Sequence, residues 1–320
     1  MKWCVNTTSL LSTQMNNENN KQEEIKKVSC PFCNSEKVIR RGFRETENRG
    51  RIQRYSCKEC RHKFVIDDGF FRMRNNNKKV TLCLDLFFNG ISTRKIQSHL
   101  HSFYPHNSSH MTIYRWIVKY SNLISTFTNE LKIKVGKEIQ VDEMEYSVNK
   151  KKAFFIDSID TETRFMVASE FVRGRSTDDL KQVIARAKQK TGEQIKICTT
   201  DGYFAYQKAV KSIFRYSNKT HSYEAKHNIV TQLKNEGFNH KVERMHSNIR
   251  ARTKTFRGFG SIDGANAIMK GYETYYNFIR KHQAINCCPY ELACPELKEE
   301  LNVPNKWLAL IQLAIQNNLK

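Results

Sequence analysis

Residues 139–148 read IQVDEMEYSV, and two further runs follow at hairpin spacing, AFFIDSID at 153–160 and RFMVASEFVR at 164–173. Each is rich in β-branched and aromatic residues, and the short intervals between them suit antiparallel strands. Beyond them STDDLKQVIARAKQK (176–190) opens on a Ser cap candidate and reads as a helix. QIKICTTD (194–201) is a fourth strand, YFAYQKAVKSIF (203–214) a helix and THSYEA (220–225) a short strand. KVERMHSNIRARTKTFRGF (241–259) and ANAIMKGYETYYNFIRKHQ (265–283) are two more helices.

Three antiparallel strands first, with a later strand added in parallel, is the order expected of an RNase H-like α/β fold: a mixed five-stranded sheet with flanking helices. In that fold the middle of the first strand, the end of the fourth and the last helix converge at one edge. Asp142 lies in the first strand on the face opposite Ile139 and Val141. A carboxylate in a core strand must be paired or metal-bound, because burying it alone is costly. Asp201 ends the fourth strand, where Gly202 permits a sharp turn. Glu243 opens the late helix as the lone acid among six Lys or Arg and one His.

Two readings of Glu243 compete: a local salt bridge to Arg244 or Lys241, or closure of a metal site with Asp142 and Asp201. The convergence favours the second. Three carboxylates suit two Mg²⁺ or Mn²⁺ ions about 3.5–4 Å apart. Val242, Met245, Ile249 and Phe256 form the helix's apolar stripe, with Glu243, His246, Arg250 and Lys254 beside it. Glu143 and Glu145 alternate with Asp142 and are expected to split between faces. Asp157 and Asp160 could approach the site, but none of these four is chosen.

The whole chain of 320 residues carries 54 Lys and Arg against 32 Asp and Glu, a formal charge of +22 spread along its length. Such a balance favours a polyanionic partner, nucleic acid above a membrane surface. No apolar run approaches the roughly 18 residues that span a bilayer, and no secretory signal is legible, so an intracellular (cytoplasmic or nucleoid) setting is expected. Cys30 and Cys33 form one C-x2-C pair and Cys57 and Cys60 another, a spacing that predicts a four-thiolate structural zinc site. Arg40, Arg41 and Arg44 then sit on a small rigid module suited to DNA backbone contacts. In SSHMTIYRWIVKY (108–120), Ile113, Trp116, Ile117 and Tyr120 share one helical face, and His110, Thr112, Arg115 and Lys119 the other. After LDLFFNGISTRKIQSHL (84–100) this predicts a helix-turn-helix whose last helix enters a major groove.

The expected organisation is a disordered tail (1–27), zinc ribbon (28–74), helix-turn-helix domain (75–130), RNase H-like catalytic domain (131–290) and helical C-terminal tail (291–320). The tail's NKWLALIQLAIQNNL is amphipathic and is expected to pack on the body.

Together CPFC…CKEC, TIYRWI, QVDE, TTDGYFAY, VERMHSNIRARTKTFRGF and YYNFIRKHQAIN resemble DDE-type insertion-sequence transposases, relatives of retroviral integrases, and among them the insertion-sequence-six group. The resemblance implies that Asp142, Asp201 and Glu243 are the catalytic, Mg²⁺- or Mn²⁺-binding triad. Arg244 and His246 match the VERxH signature, and Asn277, Arg280 and His282 the later YNFIRxH motif. Arg250, Arg252, Lys254 and Arg257 continue the cationic helix along DNA. Two departures stand out: Lys281 where proline is common, and a longer stretch between Asp201 and Glu243. The implied activity is metal-dependent cleavage at a transposon's terminal inverted repeats and transfer of the 3′-OH into target DNA, by a homodimer or higher multimer. A repurposed, non-catalytic DNA-binding regulator and a plain nuclease are the alternatives.

Overall fold

A computed structural model describes residues 28–46, 50–70, 73–103, 108–192, 194–230, 239–256 and 258–318. The expected disordered tail (1–27) and the DNA-contact candidate Arg257 lie outside these residues. The chain divides into two compact units, Met1–Ile66 and Asp67–Lys320.

In the first unit, strands β1 (Val38–Thr46) and β2 (Gly50–Cys57) form an antiparallel hairpin, and β3 (Lys63–Phe64) pairs with β2. Each cysteine pair is followed by a residue in the left-handed region, Asn34 (φ 55°) and Arg61 (φ 59°). These turn the chain back, and the Asn34 N–H donates to the Cys30 carbonyl at 2.8 Å. The two turns bring Cys30 Sγ to 3.5 Å from Cys60 Sγ, and Cys33 Sγ to 3.5 Å from Cys57 Sγ. All four sulfurs lie within 4.8 Å of one another. Zn–S bonds of about 2.3 Å in a tetrahedron put sulfurs about 3.8 Å apart, so the cluster fits the expected zinc ribbon. Arg40, Arg41 and Arg44 are all exposed on β1.

The second unit opens with α1 (Asn77–Phe88), α2 (Thr93–Phe103) and α3 (His110–Glu130). Asn76 caps α1 and Ser109 caps α3, each side chain accepting a backbone N–H of the first turn. Ile113, Trp116, Ile117 and Tyr120 are buried, as their spacing predicts, while Arg115 and Lys119 are exposed and His110 and Thr112 half-buried. These helices share a core with the rest of the unit. At Gly271 a Cβ would collide with Ser121 on α3 and Phe88 on α1, so glycine is what lets the helices meet.

The central sheet follows. Strands β4 (Glu138–Val148), β5 (Lys151–Asp160) and β6 (Met166–Val172) are antiparallel neighbours. After α4 (Thr177–Thr191), closed by a Ser176–Asp179 capping box, β7 (Ile197–Asp201) returns parallel to β4. Then come α5 (Phe204–Ile213), a small hairpin of β8 (Tyr216–Ser217) and β9 (Ser222–Tyr223), and β10 (Lys226–Val230) parallel to β7. The sheet order β10-β7-β4-β5-β6 is that of the RNase H-like fold. The fifth strand is thus KHNIV rather than THSYEA: the latter contributes only two residues to the hairpin, where Tyr216 and Tyr223 meet edge to face.

α6 (His240–Thr253) and α7 (Ile262–Thr274) complete the layer, and a π-helical turn at Tyr275–Ile279 extends α7. The basic helix ends at Thr253, short of the TFRGF it was expected to include. After the single turn α8 (Tyr290–Ala293), α9 (Lys306–Asn318) packs back as expected: Trp307 stacks on Phe88, and its Nε1 donates to Asp85 at 3.2 Å.

Candidate active site

Two carboxylates of the expected triad meet because of where a ladder stops. β4 and β7 pair only from Glu138–Gln140 with Ile197–Thr199. Continued by two residues, that register would put Asp142 opposite Asp201. Past the last bond the parallel strands are free to separate, and both acids stand at this opening. Crevices at the carboxyl ends of parallel strands are where α/β sheets hold ligands. Asp201 Oδ1 accepts the Tyr203 N–H at 2.9 Å, which fixes the turn after β7.

On the other side of β4, Asp142 pairs in register with Asp157 of β5. α6 lays His246 over the two: Nε2 lies 2.9 Å from Asp157 Oδ2, and Nδ1 3.5 Å from Asp142 Oδ2. Burial alone would favour the neutral imidazole, but Asp157 and Asp142 outweigh it and raise the His246 pKa. Burial pushes the Asp142 carboxyl up to about 7 against the pull of His246. It raises Asp157, which is fully buried, and Asp201 in the same way. The three acids are short of positive charge, which is the condition a cation relieves.

Glu143 joins them. Its carboxylate accepts from Arg175 Nη1 at 2.7 Å and from the Tyr206 hydroxyl at 2.6 Å. Ligand oxygens of Asp142, Glu143 and Asp201 all lie within 4.8 Å of one another. Strict alternation assigns Glu143 to the opposite face from Asp142, yet both carboxylates reach Asp201, just past the point where the β4–β7 ladder stops. Oxygen donors at this spacing match the preferences of Mg²⁺ and Mn²⁺.

Glu243 stands outside that cluster, exposed in the first turn of α6 and one turn before His246. Its helix is anchored from the sheet. Gln140 Oε1, buried in β4, accepts the N–H groups of Lys241 and Val242, each at 3.2 Å, while Asn239 makes no side-chain cap. Gln140 therefore supplies the N-terminal acceptor that an N-cap ordinarily provides.

The remaining acids have structural duties. Asp160 accepts from Gly136 N–H, Thr163 N–H and Thr163 hydroxyl, and Glu145 pairs with Lys152 at 3.1 Å on the surface. Among the expected DNA contacts, Arg244, Arg250 and Lys254 are exposed. His246 and Arg252 are buried: the first is committed to the two carboxylates, and the second packs against the stacked rings of Phe87 and Phe256. The sequence reading set His246 on the stripe with Glu243, Arg250 and Lys254 and named Arg252 as a DNA contact; both side chains are instead turned inward.

Residues 136–283 match the family model for the DDE domain of IS240-type transposases. The matched stretch holds all three expected acids, Asp142, Asp201 and Glu243. No curated protein matches the sequence. Among solved structures, the chain is similar to one in the simian T-cell lymphotropic virus intasome with PP2A regulatory subunit B56γ, at 12% identity and TM-score 0.37. That match covers 51% of this chain and 56% of the intasome chain, little more than half its length. The HTLV-2 integrase catalytic core domain in complex with magnesium is similar at 14% identity in its trimeric form (TM-score 0.35, 50% of this chain and 97% of that one). Its dimeric form gives 14% identity and TM-score 0.34, over 50% and 96%. No helix among the described residues is long and apolar enough to cross a membrane.

Proposed function

We propose that the DDE domain carries out transposition chemistry, cutting a DNA strand at the end of a mobile element and joining the resulting end to target DNA. The meeting of Asp142 and Asp201 at the opening between β4 and β7 carries this reading. In the first step a water oxygen bonds to phosphorus and the P–O3′ bond breaks, leaving a free 3′-OH and a 5′-phosphate. In the second the 3′ oxygen bonds to a target phosphorus and the target's own P–O3′ bond breaks.

Asp142 and Asp201, with Glu243 as the third acid, would hold divalent magnesium or manganese, which supplies Lewis-acid charge to the reacting phosphate. His246 orients Asp142 through its Nδ1 while Asp157 fixes the ring from the other side. Gln140 sets where α6 begins and so where Glu243 stands. The exposed Arg244, Arg250 and Lys254 hold phosphates of the bound strand.

The same reading extends to the flanking modules. The four-cysteine cluster holds a structural zinc ion and presents Arg40, Arg41 and Arg44 to the DNA backbone. α2 and α3 act as a helix-turn-helix, with His110, Thr112, Arg115 and Lys119 toward the terminal repeats. Two element ends must be held together, so the active form is a multimer.

A plasmid carrying the gene's own flanking DNA tests this. Purified protein with Mg²⁺ or Mn²⁺ is expected to nick at the element's boundaries and produce joined molecules, and Asp142→Asn is expected to do neither. Specific binding of the flanks with no cut in either metal would instead make the protein a regulator. Cuts without joined products would make it a nuclease.

A further inference from the structure

The flank of α6 that faces away from the acidic cluster borders a groove of which the chemistry above uses only Arg244. Lys241, Arg244 and Asn248 fall on one stripe of the helix, whereas His246 reaches Asp142 and Asp157 from the other flank. The first stretch of the groove is a cavity of about 770 Å³, lined by Arg164, Lys241, Arg244 and Arg280 with Tyr276 and His282 as aromatic walls. A second stretch of about 300 Å³ is lined by Arg252, Tyr272, Tyr275 and the Asn89–Gly90 turn. Asn248 and Arg280 line both, so the two adjoin. Among the described residues, no acidic one lines either stretch.

Two guanidinium groups in these walls have buried donors with no acceptor among the described residues, Arg164 Nε in the first stretch and Arg252 Nη2 in the second. Arg252 is only 7% exposed. Its Nε donates to the Phe87 carbonyl at 2.8 Å, and the mutually stacked rings of Phe87 and Phe256 pack against the group at 4.3 and 4.5 Å. Burial lowers its pKa to about 10, which leaves it charged at neutral pH. A rigidly held cation with an unmet donor is a poor solvated surface charge and a good anion ligand. Guanidinium groups alternating with aromatic rings along a concave path are the chemistry of single-strand binding, in which phosphates meet the cations and bases meet the rings.

We propose that this groove holds a single DNA strand by its phosphodiesters, on the flank of α6 opposite the acidic cluster. The inference takes from the transposition reading only the identity of the polyanion as DNA. A strand in this position lies across the helix from the cutting site, so one helix separates a held strand from a reacting one.

The test is fluorescence anisotropy with the full chain in EDTA, which removes cleavage from the measurement. The probes are a labelled oligothymidylate of about a dozen nucleotides and a blunt duplex. The double variant Arg164→Gln/Arg280→Gln is expected to bind oligothymidylate about tenfold more weakly, with a log Kd–log salt slope shallower by roughly 0.7 per lost contact. Duplex binding is expected to change by less than about twofold, since the exposed cations that serve it are untouched. Lys241→Gln/Lys281→Gln, both in the walls of the first stretch, provides the same reading should the first pair compromise folding. Unchanged oligothymidylate binding in both pairs, or an equal loss on duplex, overturns the proposal. Plasmid nicking by the same preparations separates the two readings. Cleavage by wild type with normal strand binding by the groove variants sinks the groove alone. Groove-dependent strand binding without any cleavage supports the groove and sinks the transposition reading.

Discussion

The four thiols and the three acids of this chain are gathered by opposite means. Each thiol pair is presented by one tight turn, and both turns sit on a single hairpin, so the cluster is complete once a short segment has folded. The carboxylates come from β4, β7 and α6, elements that only the finished sheet brings near one another. The thiol cluster closes on itself. The acidic one gathers Asp142, Asp201 and Glu143, while the Glu243 of the resemblance stays on an exposed helical turn beside it. Local turn chemistry closes the thiol cluster by itself; the acidic cluster depends on two strands far apart in sequence being paired in one sheet.

That contrast predicts how each site fails. Cys30→Ser is expected to abolish stoichiometric zinc and the protease resistance of the ribbon together, because a metal that organises a small module is part of its folding. Elemental analysis with limited proteolysis checks this, and full zinc retention would remove the closed site from the comparison. Glu243→Gln is expected to cut strand cleavage by about 10³-fold, on the scale of losing a principal electrostatic group, with DNA binding intact. Glu143→Gln, assayed beside it, is expected to lose less; the reverse order would make Glu143 the third acid and the open site complete as it stands.

Gln140→Leu probes the link between sheet and helix. Losing the acceptor for Lys241 and Val242 is expected to cost about 1–2 kcal/mol in urea denaturation. Cleavage should fall more than stability alone accounts for, since the start of α6 places Glu243. No change in either would show that the helix is positioned by its apolar stripe. The smallest effect belongs to exposed Arg115. Arg115→Ala is expected to weaken binding of the element's ends by about tenfold and random DNA by much less. Equal loss on both would assign it to phosphate contact.

The sheet and its first four strands were legible because they are long, β-branched and separated by hairpin-length turns. The fifth was not: KHNIV carries a His and an Asn, and its place is set by pairing with β7 rather than by its own composition. The thiol site was readable to the residue, since spacing alone determines it. Asp142 and Asp201 were readable from strand position. Glu143 was not, because alternation along β4 sends it to the opposite face from Asp142, and only the end of the β4–β7 ladder lets its carboxylate reach Asp201. His246 and Arg252 were misplaced for a related reason. Cationic residues on a basic helix look solvated until a buried carboxylate or a pair of aromatic rings on another element claims them.

Asn277, in the π-helical turn, has a consequence for assembly. Its carboxamide accepts the Met166 N–H at 2.8 Å and donates to the Met166 carbonyl at 2.9 Å, imitating a neighbouring peptide at the start of the outermost strand, β6. Unsatisfied strand margins are where chains stack on one another. Here the first rung of that margin is already taken by the protein's own side chain. Copies that associate must do so through other surfaces than a shared sheet begun at this rung, and the chain carries its own stopper against fibre-like growth there.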